Sequence, residues 1–413
     1  MDIKVIPSAL SGEVSIPPSK SAAHRALICA ALSDGSSRIT PYCTSKDIKA
    51  TVSCLRALGM NIAEDEKGYI LSSGNITKGK TLNFNESGST ARFLLPIAAA
   101  LGADITGVGE GRLPNRPMDT LTKLFREHGV EASSDNLPLT LKGKMSGGDF
   151  YLPGNISSQY ISGLLLAAPL INEEVNIIPT TALESVGYID MTVSAMKRFG
   201  VNVEETEKGW RVLKNSKYTA HNTRIEGDWS QAAFFMSAAA IGGDIKISGL
   251  DFDSLQGDMA ALDVFAAFGA NISITDNVLH IKRGELRGIE VNAKDIPDMV
   301  PAIAVTAAFA TGKTVIHSAE RLRIKESDRI KTTLAMLNAF GIKTIEQEDG
   351  MIIYGGKPKG AVVDGANDHR IVMAAAIGAA FAEGESLIKG YEAINKSYPE
   401  FFEDFKRMGG KTL

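Results

Sequence analysis

The chain has 413 residues, 44% of them hydrophobic and 22% charged, with a mean hydropathy of +0.00 and a formal net charge of −4. Such a length is too great for one ordinary core and suits two domains of roughly 200 residues each. The acidic balance excludes a general nucleic-acid binder, which needs a basic field, but not a small anionic ligand held by local charge.

Residues 1–6 read as a strand, with no basic region leading into a long apolar one, so they do not resemble a targeting signal. No apolar run is long enough to span a bilayer, which points to a cytoplasmic protein with no membrane partner. Cys29, Cys43 and Cys54 lack metal-ligand spacing and fit a reducing compartment as buried thiols.

Along the chain one phrase recurs: a short amphipathic run closed by a glycine. The glycines are Gly59, Gly129, Gly200, Gly269, Gly341 and Gly409, about 70 residues apart. Each is read as a helix ended by a C′ glycine, and the first five are followed by a hairpin-like segment. Interleaved with them is a second helix type, alanine-rich and apolar on most sides, and therefore buried. Its copies lie near residues 25–32, 92–101, 159–170, 231–241, 298–310 and 369–380. Six α/β units of about 70 residues follow, three per domain. The sixth stops before its hairpin, and the strands near residues 3–6 and 13–16 are expected to complete it. The chain would then start in one domain (1–17 with 227–413), cross near Pro17-Pro18 to a second (18–226), and return near Gly227.

Polar residues collect where the buried helices open. Lys20-Ser21-Ala22-Ala23-His24-Arg25, Glu86 to Arg92, Ser157-Ser158-Gln159, Ile296-Pro297-Asp298 and Asn367-Asp368-His369-Arg370 are these openings. Ser, Asp and Asn are ordinary N-caps, which is enough to explain any one opening. Lys or Arg there opposes the helix dipole, and several openings carry one, so anion binding accounts better for the set. Lys325, Glu326 and Arg329 are spaced to share one helical face, and Asn115-Arg116-Pro117 adds a loop arginine.

Gly74 to Thr81 fits a P-loop pattern, but the residues after it alternate and favour a strand over the required helix, so it is read as a turn. Of the six histidines, five lack ligand spacing and read as core or surface residues; His369, beside Arg370, is the exception of interest, and no metal-ligand set is apparent.

Together, Pro18-Ser19-Lys20-Ser21 with Arg25, Ser157-Ser158-Gln159, Tyr188-Ile189-Asp190, Arg323 to Arg329 and Asn367 to Arg370 resemble the 5-enolpyruvylshikimate-3-phosphate synthase family. The resemblance implies two inside-out α/β barrel domains, each of three βαβαββ units, with the active site in the cleft between them. It implies transfer of the enolpyruvyl group of phosphoenolpyruvate to the 5-hydroxyl of shikimate 3-phosphate, by a monomer and with no cofactor. By motif, Lys20, Ser21, Arg25, Ser157, Ser158, Gln159, Ser185, Tyr188, Asp298 and Lys325 would hold shikimate 3-phosphate. Lys20, Gly88, Arg116, Gln159, Glu326, Arg329, His369, Arg370 and Lys396 would hold phosphoenolpyruvate. Asp298, Glu326 and Lys20 would move protons. The family's usual Asn-Ala-Gly is Glu86-Ser87-Gly88 here, and a family asparagine falls at Arg321, so neither Glu86 nor Arg321 inherits a role. The sister family acting on UDP-N-acetylglucosamine typically has Lys-Asn in the first motif and a cysteine before Arg-Pro; this chain has Lys20-Ser21 and no cysteine from Gly109 to Arg116. A non-catalytic binder of phosphorylated acids would gain nothing from Asp298 and Glu326 among the cations.

Overall fold

The computed structural model describes residues 1–413. The backbone divides into two compact units, one of Met1–Pro17 with Glu226–Leu413, the other of Pro18–Ile225. Each has its own hydrophobic core. No helix is long and apolar enough to cross a membrane.

The second unit holds helices α1 (Lys20–Ala31), α2 (Lys46–Ala57), α3 (Gly88–Leu101), α4 (Asp119–Glu127), α5 (Ser158–Ala167) and α6 (Val186–Arg198). The first unit holds α7 (Trp229–Ile241), α8 (Ala261–Phe268), α9 (Val300–Phe309), α10 (Arg329–Ala339), α11 (His369–Phe381) and α12 (Phe401–Arg407). The odd-numbered helices α1, α3, α5, α7, α9 and α11 are the apolar ones, alanine-rich except for the leucine-rich α5, and they are buried on nearly every side. Small side chains let them approach one another closely. In the first unit α7, α9 and α11 pack pairwise; in the second, α5 packs on α1 and α3.

The six repeat glycines all have positive φ, between 79° and 104°. Only glycine takes that left-handed geometry without cost, which explains why each amphipathic helix stops where it does. Six four-stranded sheets surround the buried helices. In one of them Ile105–Val108 runs parallel to Thr81–Asn83 across α3 and antiparallel to Leu139–Gly143, whose outer partner is Val130–Ala132.

Of the two strands expected to complete the sixth unit, one pairs elsewhere. Asp2–Ile6 does complete the sixth sheet, lying between Ser386–Lys389 and Lys411–Thr412. Ser11–Ser15 does not; it runs parallel to Asp244–Ser248, in the sheet that follows α7. Its counterpart Thr223–Arg224 runs parallel to Ser37–Thr40, in the sheet that follows α1. The strands just before α1 and α7 have thus exchanged sheets, which period-two alternation along a single strand does not encode. The P-loop-like segment opens no helix: Thr81 begins the strand Thr81–Asn83.

Candidate active site

In the first unit the functional side chains gather where α7, α9, α10 and α11 begin. Asp298 lies in a short 3-10 turn, Pro297–Met299, that leads into α9. Its Oδ1 accepts from Arg329 Nη1 at 2.8 Å and from Lys325 Nζ at 3.5 Å. Its Oδ2 accepts from Arg370 Nη2 at 3.0 Å, and its carbonyl from Arg370 Nη1 at 2.9 Å. Burial pushes the Asp298 pKa up, but Arg370, Lys325 and Arg329 outweigh it and hold the carboxyl well below the usual range. Lys325 is pushed down to about 8, first by burial and further by Arg329 and Arg321, against the pull of Asp298 and Glu326.

Arg329 is the centre of this group, with a side chain only 1% exposed. Its Nη2 donates to Glu326 Oε2 at 2.7 Å, and its Nε to Asp368 Oδ2 at 2.8 Å. Asp368, fully buried, also accepts from Ser327 Oγ at 2.9 Å and caps α11 through the Arg370 backbone N–H at 3.0 Å. Arg370 Nη2 reaches Ser230 Oγ at 3.0 Å, in the first turn of α7. His369 is the buried first residue of α11. Lys396 Nζ donates to the Asn367 carbonyl at 2.6 Å, which ties it to the same helix start.

One expectation fails here. Lys325 and Glu326 do not share a helical face with Arg329, because Asp328 caps α10 and the helix begins only at Arg329. The Glu326–Arg329 contact is instead made from a loop. A good N-cap four residues inside the charged run cut the helix short.

In the second unit the residues fall around the starts of α1, α3, α5 and α6. Ser19 caps α1, so Lys20 stands in the first helical turn and not in the loop before it. Lys20 Nζ lies 2.8 Å from Asp47 Oδ2. Arg25 is buried and bridges two helix starts: Nη1 donates to the Ser21 carbonyl at 2.7 Å, Nη2 to the Tyr188 carbonyl at 2.7 Å, and Nε to Thr192 Oγ1 at 2.7 Å. Burial lowers its pKa to about 10, so it stays a cation at neutral pH. Ser185 precedes α6 in the left-handed region, with φ of 53°.

Gly88 begins α3, and a Cβ placed there would meet Arg116 Nη1 at 2.7 Å and Arg92 Nη1 at 3.1 Å. Two guanidinium groups therefore flank the N-terminus of a buried helix. Arg92 Nη1 donates to Gln159 Oε1 at 2.8 Å, and Gln159 Nε2 donates to Ser89 Oγ at 2.9 Å. Ser157 caps α5 by accepting from the Gln159 backbone N–H at 3.3 Å, with Ser158 buried behind it. Gly88, Arg116 and Gln159 are thus neighbours, and unpaired helix N–H groups with cations beside them suit a phosphate or carboxylate.

Sequence reasoning passed over Asp368, Ser230, Arg92, Asp47 and Thr192. Arg92 is visible in the sequence as a cation one turn inside α3, and Asp368 as the N-cap of α11. Ser230, Asp47 and Thr192 act through partners that lie 140, 27 and 167 residues away in sequence, which no local pattern shows.

The profile of the EPSP synthase (3-phosphoshikimate 1-carboxyvinyltransferase) family matches residues 5–405. A protein of Clostridium novyi named 3-phosphoshikimate 1-carboxyvinyltransferase is 43% identical, the match covering 99% of this chain and 98% of that one. A protein of the same name from Clostridium perfringens is also 43% identical, over 98% of each. Among solved structures, EPSP synthase of Acinetobacter baumannii superposes with a TM-score of 0.85 at 26% identity, covering 100% of this chain and 99% of that one. The enolpyruvyl transferase NikO of Streptomyces tendae shares the fold, with a TM-score of 0.82 at 16% identity over 100% of this chain and 98% of its own. The chain belongs to the EPSP synthase (3-phosphoshikimate 1-carboxyvinyltransferase) family.

Proposed function

We propose that this protein transfers the carboxyvinyl group of phosphoenolpyruvate to the 5-hydroxyl of shikimate 3-phosphate and releases phosphate. The observation that carries the reading is the group around Arg329: two carboxylates, Asp298 and Glu326, held among Lys325, Arg329 and Arg370. Those carboxylates hold the cations in place, and addition followed by elimination gives them a second use, as groups that accept and return protons.

In the first step the hydroxyl oxygen bonds to C2 of phosphoenolpyruvate, and C3 takes up a proton. In the second step C3 gives up a proton and the C2–O bond to phosphate breaks, which leaves the enol ether. Asp298 orients the hydroxyl and takes its proton. With Arg370, Lys325 and Arg329 turned toward it, the carboxylate is a poor base. Substrate anions that draw those cations away raise its basicity when it is needed. Glu326 and Lys20 are the candidates for protonating C3. Arg116, Arg329, Arg370 and Lys396, with Gly88, Gln159 and His369, bind phosphoenolpyruvate and stabilise charge on the leaving phosphate. Lys20, Ser21, Arg25, Ser157, Ser158, Gln159, Ser185, Tyr188 and Lys325 hold shikimate 3-phosphate.

The test is phosphate release from phosphoenolpyruvate. It should require shikimate 3-phosphate and should not proceed with UDP-N-acetylglucosamine. Turnover in D2O should place deuterium in the vinyl methylene, and Glu326→Gln or Lys20→Met should slow that exchange. Release supported by the nucleotide sugar, or turnover with no label in the methylene, would sink the reading.

A further inference from the structure

The loop that carries Lys325 and Glu326 joins the strand Lys313–His317 to α10, and it has little regular structure of its own beyond a 3-10 turn, Glu320–Ile324. Its entrance is tied to the hairpin turn that follows α10. The Ser318 N–H donates to Asp349 Oδ2 at 3.0 Å, and the Ala319 N–H to the Asp349 carbonyl at 2.7 Å. Leu322 is fully buried. One residue later Arg323 turns the other way and reaches the same hairpin. Its Nη2 donates to the Gln347 carbonyl at 2.8 Å and the Glu348 carbonyl at 3.1 Å, and its Nε to the Glu348 carbonyl at 3.1 Å. Its Nη1 lies 2.8 Å from Glu346 Oε1 and 3.5 Å from Asp328 Oδ2, the carboxylate that caps α10.

We infer that Arg323 is a positioning residue, clamping this loop to the 346–349 turn so that Lys325 and Glu326 stand in register with Asp298 and Arg329. The inference rests on the reading of Lys325 and Glu326 as active-site groups. The partly exposed pair with Glu346 contributes little by itself. The forked donation to two carbonyls fixes the guanidinium plane, and lysine has no such fork. Two residues beyond the clamp, the chain is extended at Lys325, with ψ of −161°, so a shift at Arg323 passes directly to both side chains. Asp368 and Asp298 hold Arg329 from outside the loop, so it keeps two of its three carboxylate partners when the clamp is lost.

The test compares the parent with Arg323→Gln, Arg323→Lys and Glu346→Gln. Arg323→Gln should lower kcat on the order of 10-fold or more, as expected for small misplacement of reacting groups. Its KM for phosphoenolpyruvate should change by less than about 3-fold, since Arg329 and Arg370 stay in place. Arg323→Lys should recover only part of kcat, and Glu346→Gln should stay within about 2-fold of the parent. Hydrogen exchange supplies a readout independent of turnover: amides of residues 318–328 should lose protection in Arg323→Gln while those of α9 keep it. Parent-like kcat with parent-like protection overturns the clamp, and full recovery by lysine overturns the role of the fork. Lys325→Met and Glu326→Gln are measured alongside. If these two keep full turnover, the site reading fails; if they lose it while Arg323→Gln does not, only the clamp fails.

Discussion

Replacing Asp368 by asparagine isolates one charge at the centre of the first unit. Asparagine caps helices as well as aspartate, so the bond from the Arg370 backbone N–H and the start of α11 survive. What changes is the side facing Arg329. There the Nε now meeting a carboxylate oxygen at 2.8 Å would face a neutral amide, donor against donor in one of its two orientations. Removing one partner of a buried ion pair costs about 3–5 kcal/mol. Arg329 keeps Glu326 and Asp298, which places this case at the lower end, ~3 kcal/mol. For a unit of about 200 residues, its thermal midpoint should then fall by roughly 6–12 °C. Kinetically, a loosened Arg329 should lower kcat/KM for phosphoenolpyruvate on the order of 100-fold. The pH dependence has a definite sign. Burial raises the Asp368 pKa, but Arg329 above all, with His369, outweighs it and leaves the group below the ordinary carboxylate value. The stability it contributes is therefore present above that ordinary value and is lost as pH falls through the folded one. The gap between parent and variant should be full at pH 7 and should close in acid. Calorimetry across pH, with phosphate-release kinetics at neutral pH, checks each part. A variant with the parent's midpoint and the parent's KM would refute the view that Asp368 holds Arg329 for substrate.

Two other perturbations test other parts of the site. Lys325, with its pKa brought down to about 8, is charged below that pH and neutral above it. Affinity for shikimate 3-phosphate that depends on its charge should be full below pH 8 and decline as pH rises through it, and Lys325→Met should remove that alkaline limb from kcat/KM. A limb that persists in Lys325→Met belongs to another group. At Gly88 a methyl would press on Arg116 Nη1 from 2.7 Å, a flexible tip that must move aside. Gly88→Ala should leave the thermal midpoint unchanged or slightly raised, because alanine is favoured over glycine in a helix by about 0.5–1 kcal/mol. The same change should raise the KM for phosphoenolpyruvate on the order of 10-fold through displacement of Arg116. An unchanged KM would take Gly88 and Arg116 out of the site.

What the sequence showed well was whatever repeats or acts locally. The six closing glycines and the six alanine-rich helices mark the units because a left-handed turn and an all-round apolar surface each leave a direct trace in residue type. The charged openings point to Lys20, Arg92 and Arg370 for the same reason. What stayed hidden depends on pairing across the chain. Nothing in Ser11–Ser15 says that its partner is Asp244–Ser248, and nothing beside Arg25 announces Thr192. The run from Lys325 to Arg329 misled because its spacing fits a helix. Only the cap at Asp328 shows that the first half of the run is loop.

The repeat also places different residue types at the same position in the two units. The residues at the mouths of the six buried helices recur with the same period: Ser19, Ser87 and Ser157 in the second unit, and Asp228, Asp298 and Asp368 in the first. Each serine caps its helix with a neutral hydroxyl. The dipole ends there keep their positive potential, and Lys20, Arg92 and Arg116 add to it, which favours dianionic phosphate. In the first unit the same places hold carboxylates, two as caps and Asp298 in the turn before α9. Alone they would repel an anion. Asp298 and Asp368 instead gather Lys325, Arg329 and Arg370 by ion pairs and fix where those cations stand. Serine mouths leave the helix ends their positive potential, while the aspartates at 298 and 368 fix where charged side chains stand.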